Sequence, residues 1–309
     1  MGKIAFIFPG QGAQSVGMGK DVYEHSAVGK EVYDRFDAII GRKLTNVCFN
    51  GPEEDLKQTI NTQPAILATS LALLEALKEK TDITPDFVAG HSLGEYGALY
   101  TAGVLSLDDT IKAIAKRAEL MSQAKSGSMA AVLGLSQDVL EEIISGVDGV
   151  VSIANYNTPE QLVITGEEQA VAEVSKLASE KGAKRVIPLA VSGAFHSALM
   201  KPAGEEFALF VKDLKFNDAS IPVVTNVDAK ETTKGSDFEE KMPRQIYSSV
   251  YWTQIIQHMM SQGVDTMIEI GPGSVLMGLN RKISRDIKTY SVSNLEAVEK
   301  TVNELTLRV

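Results

Sequence analysis

Three side chains carry most of the chemistry this chain can perform, and Ser92 comes first. It stands in Gly90-His91-Ser92-Leu93-Gly94, a Gly-x-Ser-x-Gly pentapeptide. Phe87-Val88-Ala89 before it reads as a short buried strand, and the run through Glu95, Tyr96, Ala98 and Leu99 as a helix. That is the setting a nucleophile elbow requires. The two glycines remove side chains where strand and helix crowd each other, so the turn can push the Ser92 hydroxyl into a cleft. The helix opening near Leu93 aims free backbone N–H groups at the same spot, where a developing oxyanion can be held.

A serine nucleophile needs a base, and the chain has four histidines. His25 lies in a polar early helix, and His258 sits beside Met259 and Met260 with a core or boundary role. His91 adjoins Ser92, but the turn should point it away from the cleft. His196 follows a strand end and Ser192-Gly193-Ala194, and comes after the serine as in the hydrolase order, so it is the expected base. No Asp or Glu between Ser92 and His196 occupies an obvious strand-end position to orient the ring; a backbone carbonyl, which a sequence does not display, could take that part. Arg117 is the third side chain. It falls inside the apolar stripe Ile111, Ile114, Ala115, Ala118 and Met121 of a helix starting at Ser106. Two readings stand side by side: a buried arginine awaiting an anion, or one at the stripe's edge whose head reaches water.

The elements that must position these groups follow from pattern. An apolar strand over 4–8 ends in the turn Pro9-Gly10-Gln11-Gly12-Ala13-Gln14. It is no dinucleotide fingerprint, since Ser15 takes the third glycine's place, and Gly19-Lys20-Asp21 is no Walker loop. Helices are expected over 21–40 and 53–59, with a longer apolar one from Pro64, at its first turn, to 80. Residues 127–190 read as strand 129–133, helix 136–145, strand 150–155, a turn over 157–160, strand 161–165, helix 167–181 and strand 184–190. That β-α-β-β-α-β order is ferredoxin-like, an insert packed beside a main domain made of 1–126 and 191–309. The main domain resumes with a helix over 197–214, a strand over 222–225 and a mostly helical 237–261 interrupted near Pro243. Strand 266–270, Gly271-Pro272-Gly273, a helix, a strand near Tyr290 and a final helix close it. The fold class is α/β.

Composition narrows the function classes. With 44% hydrophobic and 23% charged residues the chain is an ordinary globular protein. Thirty basic against forty acidic residues give a net charge of −10, which argues against nucleic acid as a partner. Cys48 is the single cysteine, so an internal disulfide framework and a cysteine-based metal site are excluded and a cytoplasmic location is expected. No run approaches a membrane helix, and the apolar run 4–8 is too short for a signal sequence.

Gly10-Gln11-Gly12-Ala13-Gln14, the Ser92 pentapeptide, Arg117 and Gly193-Ala194-Phe195-His196, in that order, resemble the malonyl-CoA:acyl carrier protein transacylases of fatty acid synthesis. The likeness covers essentially the whole chain and extends to Asn155-Tyr156-Asn157 and Glu269-Ile270-Gly271-Pro272-Gly273. The resemblance implies a hydrolase-like main domain with a ferredoxin-like insert. It implies malonyl carried on Ser92, His196 as base and then acid, and the N–H groups of Gln11 and Leu93 as oxyanion hole. Arg117 would pair bidentately with the malonate carboxylate, and the Gln245 backbone carbonyl would orient His196. Phe195 would shape the pocket, with Gln63, Asn155 and Met121 lining it. Malonyl-CoA and acyl carrier protein are the implied partners of a monomer; coenzyme A thioester is substrate, and no cofactor or metal is expected. A trans-acting polyketide transacylase shares these residues. A serine hydrolase shares the elbow, but Gly10-Gln11-Gly12 and Arg117 weigh against it.

Carrier proteins of such pathways are acidic, and so is this chain. Arg281, Lys282, Arg285 and Lys288 form one basic cluster, and Lys181, Lys184 and Arg185 another. One or both could receive the carrier or the coenzyme A phosphates; a solvated helix face is the equal alternative.

Overall fold

A computed structural model describes residues 2–124 and 126–306. The strands, in chain order, are β1 (Lys3–Phe8), β2 (Phe87–Gly90), β3 (Ser128–Leu133), β4 (Val151–Thr158), β5 (Gln161–Gly166), β6 (Arg185–Pro188), β7 (Val223–Val224), β8 (Glu231–Thr232), β9 (Val264–Ile270) and β10 (Lys288–Val292). They make two sheets, of order β10-β9-β1-β2-β7-β8 and β4-β5-β3-β6. In the larger sheet β10, β9, β1, β2 and β7 are parallel, and β8 adds an antiparallel edge. Both faces are covered, as the continuous apolar run of β1 requires. Phe6 and Phe8 enter one core with Val88 and Ile268, while Ala5 and Ile7 enter the other with Phe87 and Met267.

The smaller sheet is antiparallel throughout and has the strand order of a ferredoxin-like unit. One face packs Ala130, Val132, Ile153 and Ile164 against the helices Gln137–Ser145 and Glu168–Glu180. From the other face Met129, Ala154 and Val163 join the main core. A seam ties the two together: Val250 N donates to Ala154 O at 2.7 Å and Tyr156 N to Val250 O at 2.9 Å. The architecture is a hydrolase-like α/β domain with a small α/β subdomain packed on it.

Several local expectations change. The 21–40 segment is two helices, Lys20–His25 and Ala27–Ile40, because Ser26 is extended and its Oγ caps Gly29 N at 3.1 Å. A helix at Leu44–Asn50 was not foreseen, and the one expected over 53–59 is shorter, Glu53–Leu56. Pro64 lies inside the helix Thr59–Lys78 rather than at its first turn. The carbonyl a proline cannot serve is that of Ile60, and Arg42 Nη2 donates to it at 3.0 Å. Strand β4 runs on through Asn157 and Thr158, so the turn shrinks to Pro159-Glu160. Residues 197–214 divide into the 3₁₀ turns Ala198–Met200 and Val211–Asp213 around the helix Lys201–Phe210. Helix Gly235–Gln245 continues through Pro243, and the break falls at 246–251. There the carbonyls of Gln245, Ile246 and Ser248 turn to His196 and are lost to a helix.

Candidate active site

Parallel strands bring their carboxyl ends to one edge of the sheet, where α/β proteins take their ligands. Here β1 delivers the Gly10 turn, β2 the Ser92 elbow and β7 Asn226. The elbow is as sharp as the glycines allow. A Cβ on Gly90 would lie 2.0 Å from the Gly94 carbonyl carbon, and one on Gly94 2.2 Å from Phe8 O. A Cβ on Gly10 would lie 2.6 Å from His91 O, so the first turn rests directly on the elbow. Ser92 has φ 52°, which costs a non-glycine residue about 1–2 kcal/mol. Three bonds hold it there: Ser92 N to Asn226 Oδ1 at 2.8 Å, Asn226 Nδ2 to Gly90 O at 2.6 Å, and Gln245 Nε2 to Ser92 O at 3.0 Å.

His196 is the histidine brought to the serine: its Nε2 lies 2.8 Å from Ser92 Oγ. The ring is buried, and its Nδ1 faces Gln245 O at 2.9 Å and Ser248 O at 3.0 Å. Carbonyls only accept, so Nδ1 carries the proton and Nε2 offers its lone pair to the Ser92 hydroxyl. Burial, and then the Arg117 charge, push His196 down to about 3. His91 turns away as expected, with Nε2 2.7 Å from Asn157 Oδ1. His25 is exposed, and His258 pairs with Glu231 at 2.9 Å.

Arg117 resolves to the buried reading, 0% exposed on helix Leu107–Ser122. Its partners are neutral oxygens. Nη1 donates to Gln63 Oε1 at 2.6 Å, and Nη2 to Ser92 Oγ and to Gln245 Oε1, each at 3.0 Å. Its Nε is buried with no partner among the described residues. Burial lowers the pKa of the guanidinium, and the charge of Glu95 works against that. Nε–H and Nη2 are the side-on fork of a guanidinium, the pair of donors that grips a carboxylate. One arm is unused and the other rests on the serine hydroxyl.

Of the remaining expected residues, Gln63 touches Arg117 directly and the others are placed by different contacts. Gln63 is buried and its Nε2 donates to Met121 Sδ at 3.4 Å. Phe195 is buried in the main core with Met121, and its carbonyl accepts from Thr165 Oγ1 at 2.8 Å. Asn155 lies on the seam, bridged to Val250. Gln11 is exposed at the first turn and Leu93 buried in the elbow. Three participants went unread in the sequence: Asn226, Ser248 and Glu95. Asn226 lies two residues beyond β7 at the edge where the site assembles, and so short a strand gives little to read in the sequence. Glu269 explains its motif structurally: its carboxylate accepts from Leu276 N at 3.0 Å and Met277 N at 2.8 Å, capping helix Val275–Ile283.

The two basic clusters partly converge. Lys184 faces Arg281, Lys282, Arg285 and Lys288 across a groove of about 1360 Å³ between the subdomains. Lys282 Nζ reaches Gln161 Oε1 at 3.3 Å across it. Lys181 and Arg185 do not line the groove. Among the described residues no group of His, Cys, Asp or Glu is arranged to hold a metal, and no helix is long and apolar enough to cross a membrane.

Residues 5–302 match the acyl transferase domain family, and the chain belongs to that family. It is 46% identical over 311 residues to the malonyl CoA-acyl carrier protein transacylase of Bacillus subtilis, covering 99% of this chain and 98% of that one. An acyl carrier protein S-malonyltransferase crystal structure from Vibrio cholerae superposes with TM-score 0.93 at 40% identity, covering 97% of this chain and 99% of that one. A malonyl-transacylase solved in complex with its type II PKS acyl-carrier protein gives TM-score 0.95 at 36% identity, covering 98% and 99%. Within the family, the chain groups with the malonyl CoA-acyl carrier protein transacylases.

Proposed function

We propose that this chain moves malonyl from malonyl-CoA to the phosphopantetheine thiol of an acyl carrier protein, supplying fatty acid synthesis. The observation that carries the reading is one hydroxyl between two groups: Ser92 Oγ has His196 Nε2 at 2.8 Å and the buried Arg117 Nη2 at 3.0 Å. A base alone would suit any acyl group. A buried cation with an open donor beside the nucleophile suits an acyl group that ends in a carboxylate.

The reaction runs in two balanced halves. His196 Nε2 takes the Ser92 proton while Oγ attacks the thioester carbonyl, and the N–H groups of Gln11 and Leu93 receive the oxyanion. The intermediate collapses to a malonyl ester, and His196 returns the proton to the departing coenzyme A sulfur. The carrier thiol then gives its proton to His196 as its sulfur attacks the malonyl ester, and His196 passes that proton to the departing Ser92 Oγ, leaving both residues as they began. The malonate carboxylate takes the free Nε–H of Arg117 and the Nη2–H that had rested on Ser92, which frees the hydroxyl for attack. Gln63, Asn155, Met121 and Phe195 would line the acyl group's path. No step draws on a cofactor, since thioester, serine, histidine and thiol supply every atom.

We take the working unit as a cytoplasmic monomer, its catalytic domain 1–126 and 191–309 and its subdomain 127–190. The basic groove between them is the carrier's docking surface. Intact mass after mixing with malonyl-CoA, beside a Ser92→Ala control, tests the reaction. An adduct on the unsubstituted protein alone, stable until acyl carrier protein removes it, is the expected result. Free malonate accumulating without an adduct would make the protein a hydrolase, and no adduct with no turnover would make it a binding protein. Carriers of fatty acid and polyketide pathways, offered in turn to the adduct, assign the pathway.

A further inference from the structure

Beneath the Ser92–Arg117 pair lies a carboxylate that the two-step reaction leaves idle. Glu95, 1% exposed, opens the helix Glu95–Thr101. Its Oε1 accepts from Asn226 N at 3.3 Å, and its Oε2 from Gln245 Nε2. The same Gln245 carboxamide presents its Oε1 to Arg117 Nη2 at 3.0 Å. The amide can take only this orientation. Arginine donates only, while the Glu95 carboxylate and the Ser92 carbonyl accept only, so a flip would set donor on donor and acceptor on acceptor.

We propose that Glu95 is a positioning residue for acyl selectivity, acting through the Gln245 carboxamide to hold Arg117 as a cation aimed at the nucleophile. The inference rests on the malonyl transfer argued above. An unpaired guanidinium in the interior is costly, and a direct arginine–carboxylate bridge would relieve that cost. It would also occupy the fork that the substrate needs. Inserting one carboxamide between the charges keeps them in register, guanidinium to C=O and N–H to carboxylate, yet leaves Arg117 Nε–H open. The first turn of a helix favours the carboxylate's charge. Asn226 and Gln245 touch Glu95; the charged groups around it are Arg117 on helix Leu107–Ser122 and Lys241 on helix Gly235–Gln245, with Tyr96 beside it on its own helix.

The test is single-turnover acylation by malonyl-CoA and by acetyl-CoA, read by intact mass, in four proteins: unsubstituted, Glu95→Gln, Arg117→Ala and the double variant. Glu95→Gln leaves Gln245 Nε2 or Asn226 N facing a donor. It should lower malonyl acylation about 10- to 100-fold and acetyl acylation far less. In the Arg117→Ala background it should add nothing further to the malonyl loss. Equal losses for both acyl groups, or a malonyl loss that persists in full without Arg117, would overturn the proposal. Should Glu95→Gln fail to fold, the pH dependence of the unsubstituted protein decides. Burial raises Glu95 to about 7, so the malonyl-to-acetyl rate ratio should fall as pH drops from about 8 to about 6. His196 serves both acyl groups and cancels from the ratio; a ratio flat with pH overturns the proposal. Unsubstituted protein that takes no malonyl overturns this inference together with the transfer reading, whereas normal acylation with unaltered selectivity in Glu95→Gln overturns this one alone.

Discussion

Arg117 is an interior cation whose protein partners are all neutral, so its value to the molecule depends on what a substrate brings. Arg117→Ala should therefore lower malonyl acylation roughly 100-fold while acetyl acylation, which leaves the guanidinium unpaired in any case, changes far less. Intact-mass time courses with the two thioesters measure it, and equal losses would remove the arginine from selectivity. His196 makes a second prediction, this one about stability. Folding moves it from an ordinary 6.5 to about 3. Between those values the unfolded chain binds a proton that the folded site refuses. Stability from this group is thus complete above 6.5 and is lost as pH falls toward 3. Glu95, raised from 4.5 to about 7, has the opposite sign, losing stability as pH rises through that window. The two offset each other between about pH 4.5 and 6.5, and substitution separates them. His196→Ala should gain on the unsubstituted protein by about 1.4 kcal/mol for each pH unit below 6.5, measured by denaturant midpoints. A difference independent of pH would mean that the histidine is not held neutral.

At the scale of elements, the helix Thr59–Lys78 carries Gln63 to Arg117 although Pro64 lies within it. Its missing bond is made good from outside, by Arg42 on the Ile60 carbonyl. Arg42→Ala should cost about 1 kcal/mol, and less in a Pro64→Ala background, where residue 64 regains an N–H for that carbonyl. A double-mutant cycle on thermal unfolding reads the coupling, and strictly additive costs would show that Arg42 does not replace the lost bond. The same elements explain what sequence reading could reach. Ser92 and the parallel core around it were legible because an elbow needs glycine on both sides of a serine, between a strand and a helix. His196 was legible from its place after the serine and after Ser192-Gly193-Ala194, although the strand expected to lead into it ends earlier, at Pro188, in the smaller sheet. The apolar stripe marked Arg117 but left its buried and edge readings even. Glu95 was not, because an acid in the first turn of a helix is ordinary and nothing local marks it as buried. Asn226 follows a two-residue strand and meets Ser92 from 134 residues away. The Ser248 carbonyl has no residue signature at all. The break at 246–251 was misplaced to Pro243 for the same reason, since a distant histidine claims the carbonyls.

At the scale of the whole molecule, net charge −10 and an acidic carrier would repel, so the approach must be local. Lys184 and the cluster Arg281, Lys282, Arg285 and Lys288 supply a basic groove where the two subdomains meet. Lys184 is already paired with Glu160 and Lys288 with Glu304, which leaves Arg281 and Arg285 as the positions to test. Arg281→Glu with Arg285→Glu should raise the carrier-protein KM about tenfold, more at low salt than at high. Acylation by malonyl-CoA in single turnover should keep its maximal rate. An unchanged carrier KM would move the docking surface elsewhere.

Two carbonyls stand behind His196 where a carboxylate could have stood. They fix the ring without lending it negative charge; their hydrogen bonds raise its basicity, but burial and the Arg117 charge outweigh them and leave it a weak proton acceptor. Two competitors reach for an acyl group on Ser92: a thiol, which ionises near 8.5, and water, which ionises near 15.7. A feeble base can finish the ionisation of the first and hardly begins that of the second. On the proposed mechanism, the weakness of the base is one restraint on leakage of the acyl group to solvent. A protein that must store an activated acyl group until its acceptor arrives is well served by being a poor hydrolase.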